Sequence, residues 1–200
     1  PELLERDPYN QLVARQSRYR LPAEMVRDNA LAVSQLLVTE FGGNSVKPYQ
    51  PEDYYRHLNF PERKYASHVD DRQWRRGVYV HWQRMFLHPT MKTLDAPSRE
   101  ECTAERSRSN TPNAALALLN DPTFVEAARV LAERIIKEGG SSIDDRLDFA
   151  YQVVLTRSPD EDERVILRSL LQSTEAAYRE DPDAAKALVG VGLAKRSDSI

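Results

Sequence analysis

The fold prediction rests first on the segment DAPSREECTAERSRSNTPNAALALLND, residues 95–121. It is polar up to Asn110, with interleaved arginines and glutamates around the single cysteine of the chain, and it turns apolar after Pro112. Thr111 followed by Pro112 is the pattern of a helix N-cap and a first helical residue. We therefore predict a non-helical polar segment, residues 98–110, called the strap below, that ends where a core helix begins.

The sequence beyond this helix predicts further helices. Asp121 and Pro122 repeat the cap pattern and open a helix that ends at Gly139 and Gly140. Its buried stripe, from the helical spacing of apolar residues, is expected at Phe124, Ala128, Leu131 and Ile135. Three more helices are expected: about Ile143 to Leu155, Ser158 (as N-cap) to about Tyr178, and Asp181 towards Val189.

The sequence before the strap predicts two helices and a long loop. A short helix is expected around Tyr9 to Ser17, and a longer one starts at Pro22 and ends at Gly42. From there to about Val69 the chain is rich in proline and tyrosine, which predicts an extended loop. The tyrosines either seal the core or form the rim of a binding site.

The segment DDRQWRRGVYVHWQRMF, residues 70–86, fits two patterns. Trp74, Val78, Trp82 and Met85 lie on one helical stripe, whereas Val78, Val80 and Trp82 also alternate as in a strand. We predict a helix here. The resulting fold class is mainly α: an irregular helical bundle with a long Pro/Tyr-rich loop and a polar non-helical strap, forming a single helical domain over residues 1–200.

The composition argues against several functions. The 28 basic and 31 acidic side chains are well mixed and give a net charge of −3, so no nucleic-acid partner is expected. No apolar run is long enough to predict a membrane span. One cysteine without a C-x-x-C-H sequence, and four histidines with no pair at i and i+4, predict neither a cofactor nor a metal in this chain.

The strap supplies the candidate binding residues. It lies directly before a helix start, where unpaired N–H groups favour an anion, and its candidate ligand-binding side chains are Arg99, Arg106, Arg108 and Asn110. Alternatively, the neighbouring glutamates Glu100, Glu101 and Glu105 neutralise the arginines in local ion pairs that fix the path of the strap. We expect Cys102 to be a small buried side chain, since no histidine is near it in sequence to act as a base.

Carboxylates give the candidate catalytic residues, Asp95, Glu100 and Glu105. An acid/base pair of the kind that cleaves glycosidic bonds would need two of them in one site. Asp95 lies between a leucine and Ala96-Pro97, so we expect it to be half-buried and to cap backbone groups rather than to catalyse.

Two segments carry a family resemblance: GGNSVKPYQP, residues 42–51, and the run from RRGVYVHWQRMF at residue 75 to the helix ending LAERI at residue 135. They resemble a planctomycete-specific, cytochrome-associated C-terminal domain of unknown function, and the resemblance extends from about Tyr19 through RSPDEDE. The matching motif residues in this chain are Asp95, Arg99, Cys102, Arg106, Asn110 and Thr111. After Pro112 the family usually has Leu-Gln-Ala-Leu, where this chain has Asn-Ala-Ala-Leu, so no role built on that glutamine is expected here.

The resemblance implies an exported protein, in the periplasm or at the cell surface, in bacteria rich in polysaccharide-degrading systems. It also implies companion domains in the same polypeptide, including a c-type cytochrome domain, and that this chain is a piece missing its last helix. We expect a binding or assembly module that recognises a partner domain or an anionic carbohydrate. The alternatives are a hydrolase or lyase acting on polysaccharide, and an electron-transfer partner with only a docking patch.

Overall fold

The computed structural model describes residues 2–16, 19–56, 64–83 and 86–197. These residues contain eight α-helices: α1 (Glu2–Arg6), α2 (Ala23–Val33), α3 (Pro89–Thr93), α4 (Pro112–Asn120), α5 (Pro122–Glu138), α6 (Ile143–Leu155), α7 (Glu161–Glu180) and α8 (Pro182–Val189). Extended pairing within the described ranges is limited to isolated bridges. The predicted mainly α fold is confirmed.

The helix starts marked by a cap residue followed by proline are confirmed. The Thr111 hydroxyl accepts a hydrogen bond from the Ala114 amide at 3.2 Å, and the Asp121 carboxylate accepts one from the Thr123 amide at 2.8 Å. Asp181 caps α8 in the same way. These starts were predictable because the cap and the proline are adjacent in sequence.

The start of α7 was predicted two residues too early. Its N-cap is Asp160 rather than Ser158, and Asp160 and Glu163 form a capping box. The Asp160 carboxylate accepts from the Glu163 amide at 2.9 Å, and the Glu163 carboxylate accepts from the Asp160 amide at 3.0 Å. Arg157 also pairs with Glu163 at 2.6 Å, so charged partners favour this later box over a neutral serine cap.

Helix α2 is shorter than predicted, and Pro22 is its N-cap rather than its first residue. It ends at Val33, because Gln35 takes a left-handed conformation with φ +64° and Val38 then donates its amide hydrogen to the Trp74 carbonyl. The helix expected around residues 9–17 is absent from described residues 9–16, which form turns, and Ser17 lies outside the described residues.

The predicted helix over residues 70–86 is wrong. The segment instead contains two 3₁₀ turns, Asp71–Trp74 and Gly77–Tyr79. Other backbone hydrogen bonds of the segment join distant residues: the Val46 amide donates to the Tyr79 carbonyl at 2.8 Å, and the His81 amide donates to the Val46 carbonyl at 2.7 Å. Of the expected stripe, the two tryptophans are half-buried, Val78 is exposed and Met85 lies outside the described residues.

The hydrophobic core lies in the first two-thirds of the chain. Its buried cluster comprises Ala23, Val80, Leu87, Met91, Leu94, Ala114 and Phe124. Along α5, Phe124 is buried, but Ala128 is exposed and Leu131 and Ile135 are half-buried, which corrects the predicted stripe. No residue of α6, α7 or α8 is fully buried.

The Pro/Tyr-rich loop has no helix in its described residues and packs its aromatic rings together, as expected for a loop that covers the core. Tyr55 is buried, and its ring meets those of Tyr65 and Phe86 edge-on, with centroids 5.3 and 6.0 Å away. In the part of the chain described here, no helix is both long enough and apolar enough to cross a bilayer.

Candidate functional site

Asp95, just before the strap, binds Ser109 near the end of the strap, and this junction is called the base of the strap below. One carboxylate oxygen accepts the Ser109 amide hydrogen at 2.7 Å, and the other accepts the Ser109 hydroxyl at 2.8 Å. Arg20 also pairs with Asp95 at 3.2 Å. The Ser109 backbone N–H, the Ser109 hydroxyl and then the Arg20 charge hold the pKa of Asp95 below its usual value. The expectation that Asp95 caps backbone groups is confirmed.

The first arginine of the strap lies on an aromatic ring. The Arg99 guanidinium is 3.8 Å from the centroid of the Trp82 ring, and the Trp82 ring N–H donates to the Ser98 carbonyl at 3.1 Å. Such cation–π contacts contribute about 0.5–1 kcal/mol at exposed positions. Arg99 therefore holds the strap to the segment that precedes α3.

The second arginine pairs with a helix outside the strap. Arg106 contacts Glu24, in the first turn of α2, at 2.8 Å. The local ion pairs predicted within the strap are therefore corrected for Arg99 and Arg106, whose partners in the described chain are Trp82 and Glu24. Both partners are distant in sequence, so local spacing gave no signal for them.

A cavity of about 270 Å³ lies between the strap, the chain segment before α2 and the end of α3. Its charged lining side chains are Arg20, Asp95, Glu105, Arg106 and Arg108, and its apolar floor is formed by Leu21, Pro22 and Leu94. Arg20 and Arg106 are paired with carboxylates, whereas Arg108 is exposed to solvent. The cavity therefore offers one guanidinium whose charge is offset by no ion pair within the described chain.

The structure separates the candidate residues into two groups. Asp95, Glu105, Arg106 and Arg108 line the cavity, whereas Arg99, Glu100 and Asn110 do not. Sequence reasoning missed Arg20, which lies 75 residues before Asp95 and completes the base of the strap.

Cys102 is exposed, which corrects the expectation of a buried side chain. The strap residues from 98 to 108 are all exposed, so this surface segment offers no core in which a thiol could be buried.

The described residues hold no group of side chains with the geometry of a metal site. None of their histidine, cysteine, aspartate and glutamate side chains form a group of three that could hold a metal ion. His57 lies outside the described residues. The buried histidine, His88, bonds the Tyr49 carbonyl at 2.6 Å, and burial holds its pKa below the usual value.

Comparison with known families places the chain. The family model described as PSD1, a protein of unknown function (DUF1553), matches residues 1–171, and the chain belongs to this family. No curated protein and no solved structure matches the sequence. Family membership assigns no activity to the chain.

Proposed function

We propose that this chain is a binding or assembly module whose C-terminal helices pack against a partner domain. The observation that carries the proposal is that α6, α7 and α8 contain no fully buried residue, while large apolar side chains of α7 are exposed.

One patch of exposed apolar surface lies on α7. Between residues 165 and 174 this helix carries one charged residue, Arg168. Val165, Ile166 and Leu170 are 58%, 65% and 58% exposed. Soluble monomers rarely leave a contiguous apolar face of this kind uncovered.

The orientation of α7 is fixed by ion pairs to α6. Arg168 pairs with Asp144, and Arg164 pairs with Asp148 at 2.6 Å. The charged side chains of Arg164 and Arg168 thus face the rest of the chain together with half-buried Leu167, while Ile166 and Leu170 face outward. A surface helix usually turns its apolar side toward the core, so the outward apolar side chains are the unusual feature of α7.

The family resemblance supports a more specific form of the proposal. The partner would be a companion domain of the same polypeptide, with a c-type cytochrome domain as one candidate. The assembled protein would be exported to the periplasm or the cell surface.

The assembly role is tested by photo-crosslinking in the cells that make the protein. A photo-crosslinking amino acid replaces Ile166 on the outward face, or Glu180 at the exposed end of α7 as the control. The proposal expects one defined crosslinked product from position 166 and none from position 180. Equal, diffuse labelling from both positions would contradict it.

A second candidate function is recognition of an anionic group, such as that of an anionic carbohydrate, at the strap. It is favoured by the three arginines that line the 270 Å³ cavity, among which Arg108 is free of a carboxylate partner in the described chain. Retention of the chain on sulfated and unsulfated glycans tests it. Arg108→Ala is expected to lose the sulfated ligand, whereas Arg179→Ala, which removes an exposed arginine from α7, is expected to retain it. Equal retention by the two variants would remove this candidate.

The alternative of a hydrolase or lyase acting on polysaccharide finds little support in the geometry. Both oxygens of Asp95 are occupied by Ser109, and Glu100 does not line the cavity. Glu105 is the remaining carboxylate of the three candidates there, whereas glycoside cleavage needs two.

A further inference from the structure

The 270 Å³ cavity beside the strap, called the strap cavity below, is lined by two charged side chains that the chain leaves unpaired. These are Glu105 and Arg108, and both are exposed. Neither makes an ion pair or a side-chain hydrogen bond within the described residues, so they do not neutralise each other either. A carboxylate and a guanidinium are therefore both available to a molecule that enters the cavity.

The remaining charges of the strap cavity are already compensated. Arg20 pairs with Asp95 at 3.2 Å, and Arg106 pairs with Glu24 at 2.8 Å. A guanidinium that is bound to a carboxylate has fewer N–H groups left for a ligand. What the cavity offers is thus one free charge of each sign, and these two charges sum to zero.

The floor of the strap cavity is apolar. Leu94 belongs to the buried core cluster, and Leu21 and Pro22 beside it are half-buried. The cavity has the volume of about nine water molecules in the liquid, which suits a ligand of about nine non-hydrogen atoms. An aliphatic group of a few carbons would bury apolar surface against this floor.

We propose that the strap cavity binds a free α-amino acid with an aliphatic side chain. Such a molecule carries a carboxylate for Arg108, an ammonium group for Glu105 and an apolar side chain for the floor. Residues three apart in a chain lie at most about 10 Å from each other, so the side chains at 105 and 108 can hold the two ends of one small zwitterion. The ligand's carboxylate is the anionic group of the second candidate function, on which this proposal rests.

A ligand with negative charge alone fits the strap cavity less well. Its charge would lie near Glu105 as well as Arg108, and like charges at short range repel. The hydroxyl groups of a sugar would also meet an apolar floor, where they find no hydrogen-bond partner. The amino acid is therefore the ligand class that the lining favours, and a carboxylate without an ammonium group becomes an arm of the test.

The test is an NMR titration of the full chain, followed at the amides of residues 104–108, with three ligands of the same branched carbon skeleton. L-Leucine carries both charges, 4-methylpentanoate lacks the ammonium group, and 3-methylbutylamine lacks the carboxylate. L-Leucine is expected to bind at least about tenfold more tightly than either of the others, because it alone makes both charged contacts.

Two variants assign the two charges. Arg108→Ala is expected to weaken the binding of L-leucine and of 4-methylpentanoate, each by about tenfold. Glu105→Gln is expected to weaken L-leucine by about tenfold and to leave 4-methylpentanoate no weaker, since that ligand has no ammonium group. Glu101→Gln, at an exposed strap position outside the cavity lining, is the control and should change neither affinity. An unchanged Tm in all three variants shows that the fold is intact.

Two results would overturn the proposal. If 4-methylpentanoate binds as tightly as L-leucine and Glu105→Gln leaves both affinities unchanged, the strap recognises an anionic group but not an amino acid. If L-leucine shifts no amide of residues 104–108 up to about 50 mM, the amino acid is excluded as well. Retention of the chain on sulfated glycans then shows whether the second candidate function survives or is lost with it.

Discussion

At the scale of single residues, Glu126 joins four segments of the chain. Its side chain is fully buried at 0% exposure. One oxygen accepts from the Tyr49 hydroxyl at 3.2 Å and the Trp74 ring N–H at 3.0 Å, and the other accepts from the Leu193 and Ala194 amides at 2.6 Å. Burial, then the Glu126 charge, raises the pKa of Tyr49, which stays protonated and keeps donating. A buried carboxylate with four donors orders the loop, the first 3₁₀ turn and the C-terminal segment together.

Glu126→Gln is expected to lower the free energy of unfolding by about 2–4 kcal/mol. The amide nitrogen of the variant would face donors instead of accepting from them. Urea denaturation followed by circular dichroism measures the change. Glu175→Gln, in an exposed pair on α7, is the control and should cost less than about 0.5 kcal/mol. Equal costs for the two variants would show that Glu126 does not join these segments.

Gly192 lies against the same carboxylate. It has φ +90°, and a Cβ there would overlap the Glu126 side chain, whereas Gly42 has φ +83° with open space around it. Gly42→Ala is expected to cost about 1–2 kcal/mol from backbone strain alone. Gly192→Ala should cost about 3–5 kcal/mol, since overlap is added to the same strain. Thermal unfolding of both variants measures the two losses of stability. Equal losses would show that Gly192 does not pack against the Glu126 side chain.

At the scale of elements, the helix starts that depend on neighbouring residues were predictable from the sequence. The starts of α4, α5 and α8 follow from a cap residue next to a proline. The helix predicted over residues 70–86 is absent because backbone groups of this segment bond Val46 and Asp28. No local periodicity in the sequence reveals these distant partners. The same limit applies to the site. The capping role of Asp95 was predictable from its neighbours, whereas its partner Arg20 and the Glu24 partner of Arg106 were not.

The corrected start of α7 gives a paired prediction. Asp160→Ala is expected to destabilise the chain by about 1 kcal/mol, because the capping box is lost. Ser158→Ala should stay within about 0.5 kcal/mol, since the Ser158 side chain caps no helix. Chemical denaturation of the two variants shows which residue caps α7. A larger loss of stability in Ser158→Ala than in Asp160→Ala would support Ser158 as the N-cap.

The attachment of the strap at its base is predicted to depend on the Asp95 carboxylate. In Asp95→Asn the Ser109 amide loses its charged acceptor, so trypsin should cleave after Arg99, Arg106 and Arg108 about tenfold faster, through easier local opening. Asp183→Asn, at an exposed pair on α8, is the control and should leave the cleavage rate unchanged. Unchanged cleavage in Asp95→Asn would show that the strap is held elsewhere.

The lowered pKa of Asp95 also gives the sign of a pH effect. Its carboxylate holds the strap above its ordinary pKa of 3.8, and this contribution is lost as the pH falls through the lower value in the folded chain. Amide exchange at Ser109 should therefore accelerate below about pH 4, relative to intrinsic exchange, in the native chain. The Asp95→Asn variant lacks the titrating carboxylate and should show no such acceleration.

At the scale of the whole molecule, the hydrophobic core lies in the first two-thirds of the chain and does not extend into the C-terminal helices. The buried cluster is drawn from residues 23–124, while α6, α7 and α8 contain no fully buried residue. The C-terminal helices are held by ion pairs, by Glu126 and by half-buried contacts. A chain built in this way is expected to be stable in its first part and to gain order in its last part when a partner covers α7.

Hydrogen exchange of the isolated chain, followed by mass spectrometry, tests this division most directly. Amides of α2 and of the first half of α5 are expected to exchange only on global unfolding. Amides in the middle of α7 should exchange through local opening, at a free energy lower by at least about 2 kcal/mol. Equal protection of α5 and α7 would mean that the C-terminal helices are complete on their own, and would contradict the proposal that they form an uncovered assembly surface.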